Sequence, residues 1–240
     1  MKALVTGGAS GLGEAITRAL AAVPGSFVNF TFCKSFESAA RLKQDLANVA
    51  GIRCDFSRAE DLEALTASIP SLDLDVLVHN AYTGLVEKHF HKLAPADFER
   101  GFLLNIVPVI RLTQAVLKGF RTNKQGRIIT ILTSYLLNKP PTGMSEYVAA
   151  KAYLHSLAKS WAAENAAFGI TSNCVSPSLM ETNLVKDVDA RVLEALVQDH
   201  PLKCLLTPDE AAQAVVYLAG PAARHVNGIN LVLNAGANVT

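Results

Sequence analysis

Short apolar runs alternate along this chain with longer segments whose apolar residues recur at helical spacing. Some runs are rich in β-branched and aromatic residues, and 74–78 is a continuous apolar run of the kind found in a parallel sheet covered on both faces. The pattern predicts strands at 2–5, 26–32, 52–54, 74–78, 126–133, 170–175 and 228–233. It predicts helices from the glycine turn to 22 and at 36–49, 58–69, 97–120 (bent at Pro108), 146–168 and 208–219.

This alternation runs without a linker or an internal repeat, so it predicts one α/β domain over residues 1–240. The expected architecture is a doubly wound Rossmann-type fold, with a parallel sheet of about seven strands and helices on both faces. Residues 180–200 lack a strand pattern and show helical spacing near Val192, Leu193 and Leu196. We therefore predict a substrate lid over 178–206.

Composition excludes several classes of function. The 22 Lys and Arg residues nearly balance 21 Asp and Glu residues, which argues against nucleic acid or an anionic membrane as partner. Glycines interrupt the first apolar run, and no later run is long and uncharged enough to cross a bilayer, so we expect a cytoplasmic protein. The four cysteines form no CxxC pair, and His89 and His91 have no evident third ligand, so no metal site is expected.

The first strand is followed by a glycine-rich turn, Thr6-Gly7-Gly8-Ala9-Ser10-Gly11-Leu12-Gly13, and then by a helix. Glycines let the backbone approach a pyrophosphate closely, while the helix N-terminus favours the negative charge. The segment therefore predicts a dinucleotide site, and the alternative is a plain tight turn.

Cofactor choice is usually decided at the end of the second strand, where NAD-specific folds place an acid. This chain has Lys34 and Ser35 there, which favours NADP over NAD; alternatively, Lys34 is a solvated loop charge. Asp55 follows the third strand and is expected to accept a hydrogen bond from the adenine amino group, to cap the next helix, or both.

A third chemical signal lies between residues 134 and 151, where Ser134 ends a strand and Tyr147 and Lys151 follow four residues apart. On a helix these two side chains share one face, so the ammonium is expected to lower the pKa of the phenol. The alternative is that Tyr147 packs and Lys151 is solvated. Gly7, Asn80, Ser134 and Pro177 all fall at predicted strand ends, which meet at one edge of such a sheet.

Taken together, these segments resemble the compact form of the short-chain dehydrogenase/reductase family over essentially the whole chain. The matching segments are TGGASGLG, Asp55, HNAY, Asn105, Ser134 thirteen positions before Tyr147, YVAAK and SPSLMET. The resemblance implies a catalytic tetrad of Asn105, Ser134, Tyr147 and Lys151. Tyr147 would exchange a proton with the substrate oxygen, Ser134 would bind the carbonyl, Lys151 would bind the nicotinamide ribose, and Asn105 would hold a relay water.

The resemblance also implies a set of cofactor contacts along the strand ends. They are Gly7, Ser10, Gly11, Leu12, Gly13, Lys34, Ser35, Asp55, Phe56, Asn80, Ala81, Tyr147, Lys151, Pro177 and Thr182. Tyr82 departs from the family pattern, which usually has Gly there, and is expected to narrow or reshape the site. Tyr135 is a rival acid, but it has no lysine four residues later.

The tail of the chain resembles that of the β-ketoacyl acyl-carrier-protein reductases. This implies NADP-dependent reduction of a ketone to a secondary alcohol, with a 3-oxoacyl thioester as substrate. A small-alcohol or sugar dehydrogenase and a non-catalytic cofactor sensor are the alternatives. An acyl carrier protein would have a basic patch available at Lys118, Arg121, Lys124 and Arg127, unless these are solvated charges at a helix end. Helices 97–120 and 146–168 and the last strand are expected to form a homotetramer or homodimer.

Overall fold

Parallel strands form a single sheet in the computed structural model of the chain, which describes residues 1–137, 139–180 and 190–237. The order across the sheet is β3-β2-β1-β4-β5-β6-β7, and every neighbouring pair is parallel. The strands are β1 (Lys2–Val5), β2 (Phe27–Phe32), β3 (Val49–Arg53), β4 (Val76–His79), β5 (Gly126–Ile131), β6 (Ile170–Pro177) and β7 (Asn230–Leu233). The predicted doubly wound fold class is confirmed.

Helices cover both faces of this sheet. They are α1 (Gly11–Ala21), α2 (Phe36–Asp45), α3 (Ala59–Leu72), α4 (Pro95–Asn105), α5 (Val107–Asn123), α6 (Ser145–Asn165), α7 (Ala190–Asp199) and α8 (Pro208–Ala219). Successive residues of a strand point to opposite faces, so Val5 packs in the layer under α1 and α8 while Leu4 packs under α3 and α5. Both faces are therefore buried, which explains the continuous apolar run of β4.

Two predicted boundaries differ from the structure. The single bent helix at 97–120 is two helices, because Pro108 lacks the N–H that would continue the helical hydrogen bonding and lies in the first turn of α5. The second helix stops at Asp45, and Val49 already pairs with Val28 in the sheet. The apolar residues between them continued the helical spacing, which is why the sequence pattern extended the helix too far.

The stretch Pro95–Asn123 is the one segment, among the described residues, that is long and apolar enough to cross a membrane by length and composition. It is interrupted at Ile106, and α5 packs Leu112, Val116 and Phe120 into the core against β4 and β5. Its apolar residues are thus used to cover the sheet.

The predicted lid at 178–206 lies partly outside the described residues, which resume at α7. The helical spacing around 192–196 corresponds to that helix. Met180 and Leu206 form an isolated parallel bridge, which brings the two ends of the segment together. Its role as a lid stays a prediction.

Candidate active site

A cavity of about 770 Å³ opens at the carboxyl edge of the sheet. This is the edge where ligands bind in doubly wound folds. Most of the predicted site residues line it: Gly7, Ser10, Gly11, Leu12, Gly13, Lys34, Ser35, Asp55, Phe56, Asn80, Ala81, Asn105, Tyr147, Lys151 and Pro177. Ser134 is not among the lining residues, and Thr182 lies outside the described part of the chain.

The glycine turn after β1 has a backbone that requires glycine. Gly7 has a φ of +65° and Gly11 a φ of +52°, and a methyl group at Gly13 would overlap the carbonyl oxygen of Gly7. Ser10 precedes α1 without capping it through its side chain, and the first residues of that helix, Gly11, Leu12 and Gly13, line the cavity. The turn therefore fits a pyrophosphate.

The switch point of the sheet lies between β1 and β4, which are neighbours in space but not in sequence. Thr6 Oγ1 accepts hydrogen bonds from the backbone N–H groups of Asn80 (3.0 Å) and Ala81 (3.1 Å). The Asn80 side chain donates back to the carbonyl oxygens of Thr6 (3.0 Å) and Gly7 (3.2 Å). Asn80 thus locks the glycine turn against the end of β4.

At the end of β2, Lys34 and Ser35 line the same cavity as the glycine turn. Asp55, at the end of β3, accepts hydrogen bonds from the backbone N–H of Ser57 (2.9 Å) and from its hydroxyl (2.7 Å). These bonds lower the pKa of the Asp55 carboxyl. The carboxylate stabilises the turn that leads into α3 while it lines the cavity.

Tyr147 and Lys151 lie one turn apart on α6, as predicted, and both line the cavity. Lys151 Nζ donates to the carbonyl oxygen of Ile131 (2.7 Å) and lies 5.7 Å from the centre of the Tyr147 ring. Burial lowers the pKa of Lys151 to about 8.

Burial also raises the pKa of Tyr147 to about 12. Desolvation therefore outweighs the expected lowering of this pKa by Lys151, whose ammonium donates to the backbone of β5. The Tyr147 phenol is protonated at neutral pH.

A second hydroxyl, that of Thr133, lies beside Tyr147 in the structure. Thr133 lines the cavity, and its side chain interacts with the Tyr147 phenol, partly opposing the rise in the pKa of that phenol. Ser134 is buried in the 3-10 turn Ser134–Leu136, where the chain has left the extended path of β5. The spacing to Tyr147 singled out Ser134, and its role as the carbonyl-binding hydroxyl stays a prediction.

Asn105, the last residue of α4, is buried and fully engaged with backbone groups. Its Oδ1 accepts from the N–H of Thr83 (2.9 Å), and its Nδ2 donates to the carbonyl oxygens of Thr83 (3.0 Å) and Gly101 (3.2 Å). Its side-chain amide therefore holds the loop after β4, and the role of Asn105 in holding a relay water stays a prediction.

Tyr82, expected to reshape the site, does line the cavity and is half-buried. Its hydroxyl donates to Glu146 Oε2 (3.0 Å), a carboxylate that sequence reasoning missed. Glu146 is only 3% exposed, and burial raises the pKa of its carboxyl. Its position beside Tyr147 in sequence was the only available signal, since an acid in the first turn of a helix is usually a solvated residue.

The basic patch at Lys118, Arg121, Lys124 and Arg127 lies at the edge of the sheet opposite the cavity. Arg127 is the second residue of β5, and at a strand rise of about 3.3 Å per residue it lies about 13 Å from Ile131, which lines the cavity. Arg121 stacks on the ring of Phe168 at 4.1 Å. The patch does not border the candidate active site. His89 and His91 are exposed, with ring centres 5.7 Å apart.

A glycine turn at a switch point, together with a buried lysine and a tyrosine over the same cavity, defines a nicotinamide-dependent oxidoreductase. Comparison with known proteins gives the same class. Residues 7–238 match the family model described as enoyl-(acyl carrier protein) reductase. A solved short chain dehydrogenase/reductase family protein superposes with a TM-score of 0.87 at 31% identity, covering 98% of this chain and 96% of that one.

Curated relatives align over nearly their whole length. The 3-oxoacyl-acyl-carrier-protein reductase FabG of Vibrio cholerae serotype O1 is 31% identical over 239 residues, which are 98% of this chain and 96% of the relative. The acetoacetyl-CoA reductase of Shinella zoogloeoides is 33% identical over 241 residues, with coverage of 98% and 97%. The chain belongs to the short-chain dehydrogenase/reductase family and is an NAD(P)-dependent oxidoreductase.

Proposed function

We propose that this enzyme uses NADPH to reduce the ketone of a 3-oxoacyl thioester to a secondary alcohol. The observation that carries the proposal is the protonated Tyr147 phenol beside the buried Lys151, in the cavity that the glycine turn enters. Relatives aligned along 98% of the chain are a 3-oxoacyl-acyl-carrier-protein reductase and an acetoacetyl-CoA reductase, which supports this class of substrate.

The chemistry divides between the cofactor and the side chains of the cavity. The nicotinamide supplies a hydride when it is bound. Tyr147 donates its phenolic proton to the substrate oxygen, for which a phenol that is protonated at neutral pH is suited. Thr133 donates a hydrogen bond to the same oxygen, and Ser134, to which the resemblance assigns this role, is the alternative donor. Lys151 places a positive charge next to the ribose and the phenol, and its ammonium can leave the Ile131 carbonyl for a ribose hydroxyl.

The preference for NADP over NAD rests on the end of β2. Lys34 and Ser35 border the cavity at the position where an acid would hold an unmodified ribose. A cation and a hydroxyl at this point favour a 2′-phosphate. Thr182 is proposed as a further cofactor contact by resemblance alone.

The test is the fall in NADPH absorbance after purified enzyme is mixed with acetoacetyl-CoA, the acetoacetyl thioester of an acyl carrier protein, a simple methyl ketone, a keto-sugar or a 2-enoyl thioester. We expect turnover with the two 3-oxoacyl thioesters and at most slow turnover with the others. Faster reduction of the ketone or the sugar would favour the small-alcohol dehydrogenase. Faster reduction of the enoyl thioester would mean that the enzyme reduces a carbon–carbon double bond and not a ketone. NADPH binding without any turnover would favour a cofactor sensor.

Assembly into a homotetramer or homodimer is part of the proposal. Large apolar side chains are exposed on α4 and α6, where Phe102 packs edge-on against Tyr153 and Leu103 is 61% exposed. Light scattering during size exclusion gives the mass directly, and a monomer at micromolar concentration would contradict this part. An acyl carrier protein would have to approach the carboxyl edge, because the basic patch faces away from the cavity.

A further inference from the structure

The side chain of Tyr82 is anchored from a helix that is distant in sequence. Its hydroxyl donates to Glu146 Oε2 (3.0 Å) in the first turn of α6. The Glu146 carboxylate is buried against α4 at Gly101, where a methyl group would overlap Glu146 Oε1. Glycine at 101 therefore leaves room for the carboxylate that holds Tyr82.

The ring of Tyr82 contacts both members of the Tyr147–Lys151 pair. It meets the Tyr147 ring edge-on, with centroids 4.8 Å apart and an interplanar angle of 81°. Lys151 Nζ lies 5.1 Å from the centroid of the Tyr82 ring. Both distances fall within the ranges of favourable aromatic and cation–π interactions.

We propose that Tyr82, anchored by Glu146, is a positioning residue that orients the Tyr147 ring and stabilises the Lys151 ammonium. This inference rests on the proposed function, since it assigns a supporting role to the residues that carry that function. It goes beyond a narrowing of the cavity, because it links a side chain on α6 that does not line the cavity to the two groups that face the substrate.

The surroundings of Lys151 leave the ammonium dependent on such contacts. The titratable groups that face it are Tyr147 on its own helix, Tyr82, His79 on β4 and Cys174 on β6. Burial lowers the pKa of His79 to about 3 and raises the pKa of the Cys174 thiol to about 12, so both are neutral at pH 7. Among the residues that the structure describes, no carboxylate pairs with Lys151. Ring faces and the Ile131 carbonyl are what remain to stabilise the charge.

The first arm of the test needs no carbonyl substrate. NADPH affinity is measured by fluorescence between pH 6 and 10 for the wild type, Tyr82→Phe and Tyr82→Leu. The ammonium loses its proton as the pH rises through about 8, and affinity is expected to fall with it. Loss of the ring face in Tyr82→Leu should lower the pH midpoint of the fall in NADPH affinity by about half a unit. Tyr82→Phe keeps the ring and should keep this midpoint. Identical midpoints in all three proteins would overturn the inference.

The second arm tests the anchor through the rate. Glu146→Gln keeps an acceptor for the Tyr82 hydroxyl, so its kcat should stay near that of the wild type. Glu146→Ala should lower kcat, by up to about a hundredfold, without changing the KM for NADPH. Adding Tyr82→Phe to Glu146→Ala should cause no further loss. If the two losses multiply, or if Glu146→Gln is as impaired as Glu146→Ala, the two residues do not act as one unit and the proposal fails.

Controls separate positioning from folding and from the choice of substrate. Tyr217→Phe makes the same chemical change at an exposed position on α8 and should leave rate and midpoint unchanged. Thermal unfolding of each variant shows whether it folds. If Glu146→Ala does not fold, comparison of Glu146→Gln with Tyr82→Phe still tests whether the hydrogen bond between the two residues affects the rate. If Tyr82→Leu shifts the midpoint although the wild-type enzyme reduces no thioester, the proposed function alone is contradicted. Thioester reduction with unchanged midpoints would contradict this inference alone.

Discussion

The two halves of the cavity are built in different ways. In the cofactor half, at the ends of β1 and β2, the shape comes mainly from the backbone, through a positive φ at Gly7 and a missing Cβ at Gly13, and side-chain hydrogen bonds between Thr6 and Asn80 hold it in place. In the catalytic half, Tyr82 and Tyr147 are held by contacts between side chains of separate elements. A site formed by the backbone tolerates few substitutions that add side-chain volume. A site formed by side chains can be altered by substitutions that remove or add a single group.

The catalytic half should respond most to the loss of one oxygen. Tyr147→Phe removes the proton donor and keeps the ring, so kcat should fall by about 10²- to 10⁴-fold while the Kd of NADPH is retained. The matched control is Tyr135→Phe, which changes a half-buried tyrosine lining the same cavity. A larger loss of kcat in Tyr135→Phe than in Tyr147→Phe would make Tyr135 the acid.

The next largest difference in kcat is expected between variants of two neighbouring hydroxyl residues, Thr133 and Ser134. Thr133→Ala should lower kcat by about 10²-fold, because it removes a donor placed for the developing negative charge on oxygen. Thr133→Ser keeps the hydroxyl and should recover most of the rate. Ser134→Ala should cost less than Thr133→Ala in the same steady-state assay, and the reverse order would return the role to Ser134.

The cofactor half is expected to lose stability and NADPH affinity when a substitution changes the shape of its glycine turn. In Gly13→Ala the new methyl group meets the backbone carbonyl of Gly7, which cannot move without disrupting the turn. We expect the free energy of unfolding to drop by about 1–3 kcal/mol and NADPH binding to weaken at least about tenfold.

The control for this change is Gly119→Ala on α5, where an added Cβ meets nothing within 4 Å. It should raise the free energy of unfolding by about 0.5–1 kcal/mol in urea melts and leave NADPH binding unchanged. Equal stability and cofactor affinity in both variants would show that the turn is less confined than its geometry indicates.

The smallest expected effect lies at the outer end of the cofactor half. Lys34→Ala should weaken NADPH binding roughly tenfold, the loss of a charged contact of about 1.5 kcal/mol, and leave NADH binding unchanged. Fluorescence titration with both cofactors measures the ratio. A parallel loss for both would mean that Lys34 does not contact the 2′-phosphate.

The sequence predicted the cofactor half better than the catalytic half for a physical reason. Glycine spacing and strand ends are local properties, so the fold class and the position of Gly7–Gly13 could be inferred from pattern alone. Which of two adjacent hydroxyls lines the cavity depends on where β5 ends and the 3-10 turn begins, and spacing alone does not show that Thr133 lines it as the neighbour of Ser134.

Long-range contacts were equally beyond the pattern. Nothing in the sequence pairs Tyr82 with Glu146, which are 64 residues apart, or shows that Asn105 binds the backbone of Thr83. The direction of the Lys151 side chain was also missed, because sharing a helical face with Tyr147 does not fix where a long side chain ends. Such features depend on how α4 and α6 pack, and packing is decided by the whole core.

Gly101 gives the molecule a remote adjustment point. The residue does not line the cavity, yet the absence of a side chain there leaves the space on α4 that the Glu146 carboxylate occupies. A substitution at Gly101 would displace Glu146 and so disturb its hydrogen bond to Tyr82, without altering any residue that lines the cavity. Selection or laboratory evolution for new substrates could therefore act through a residue that does not line the cavity.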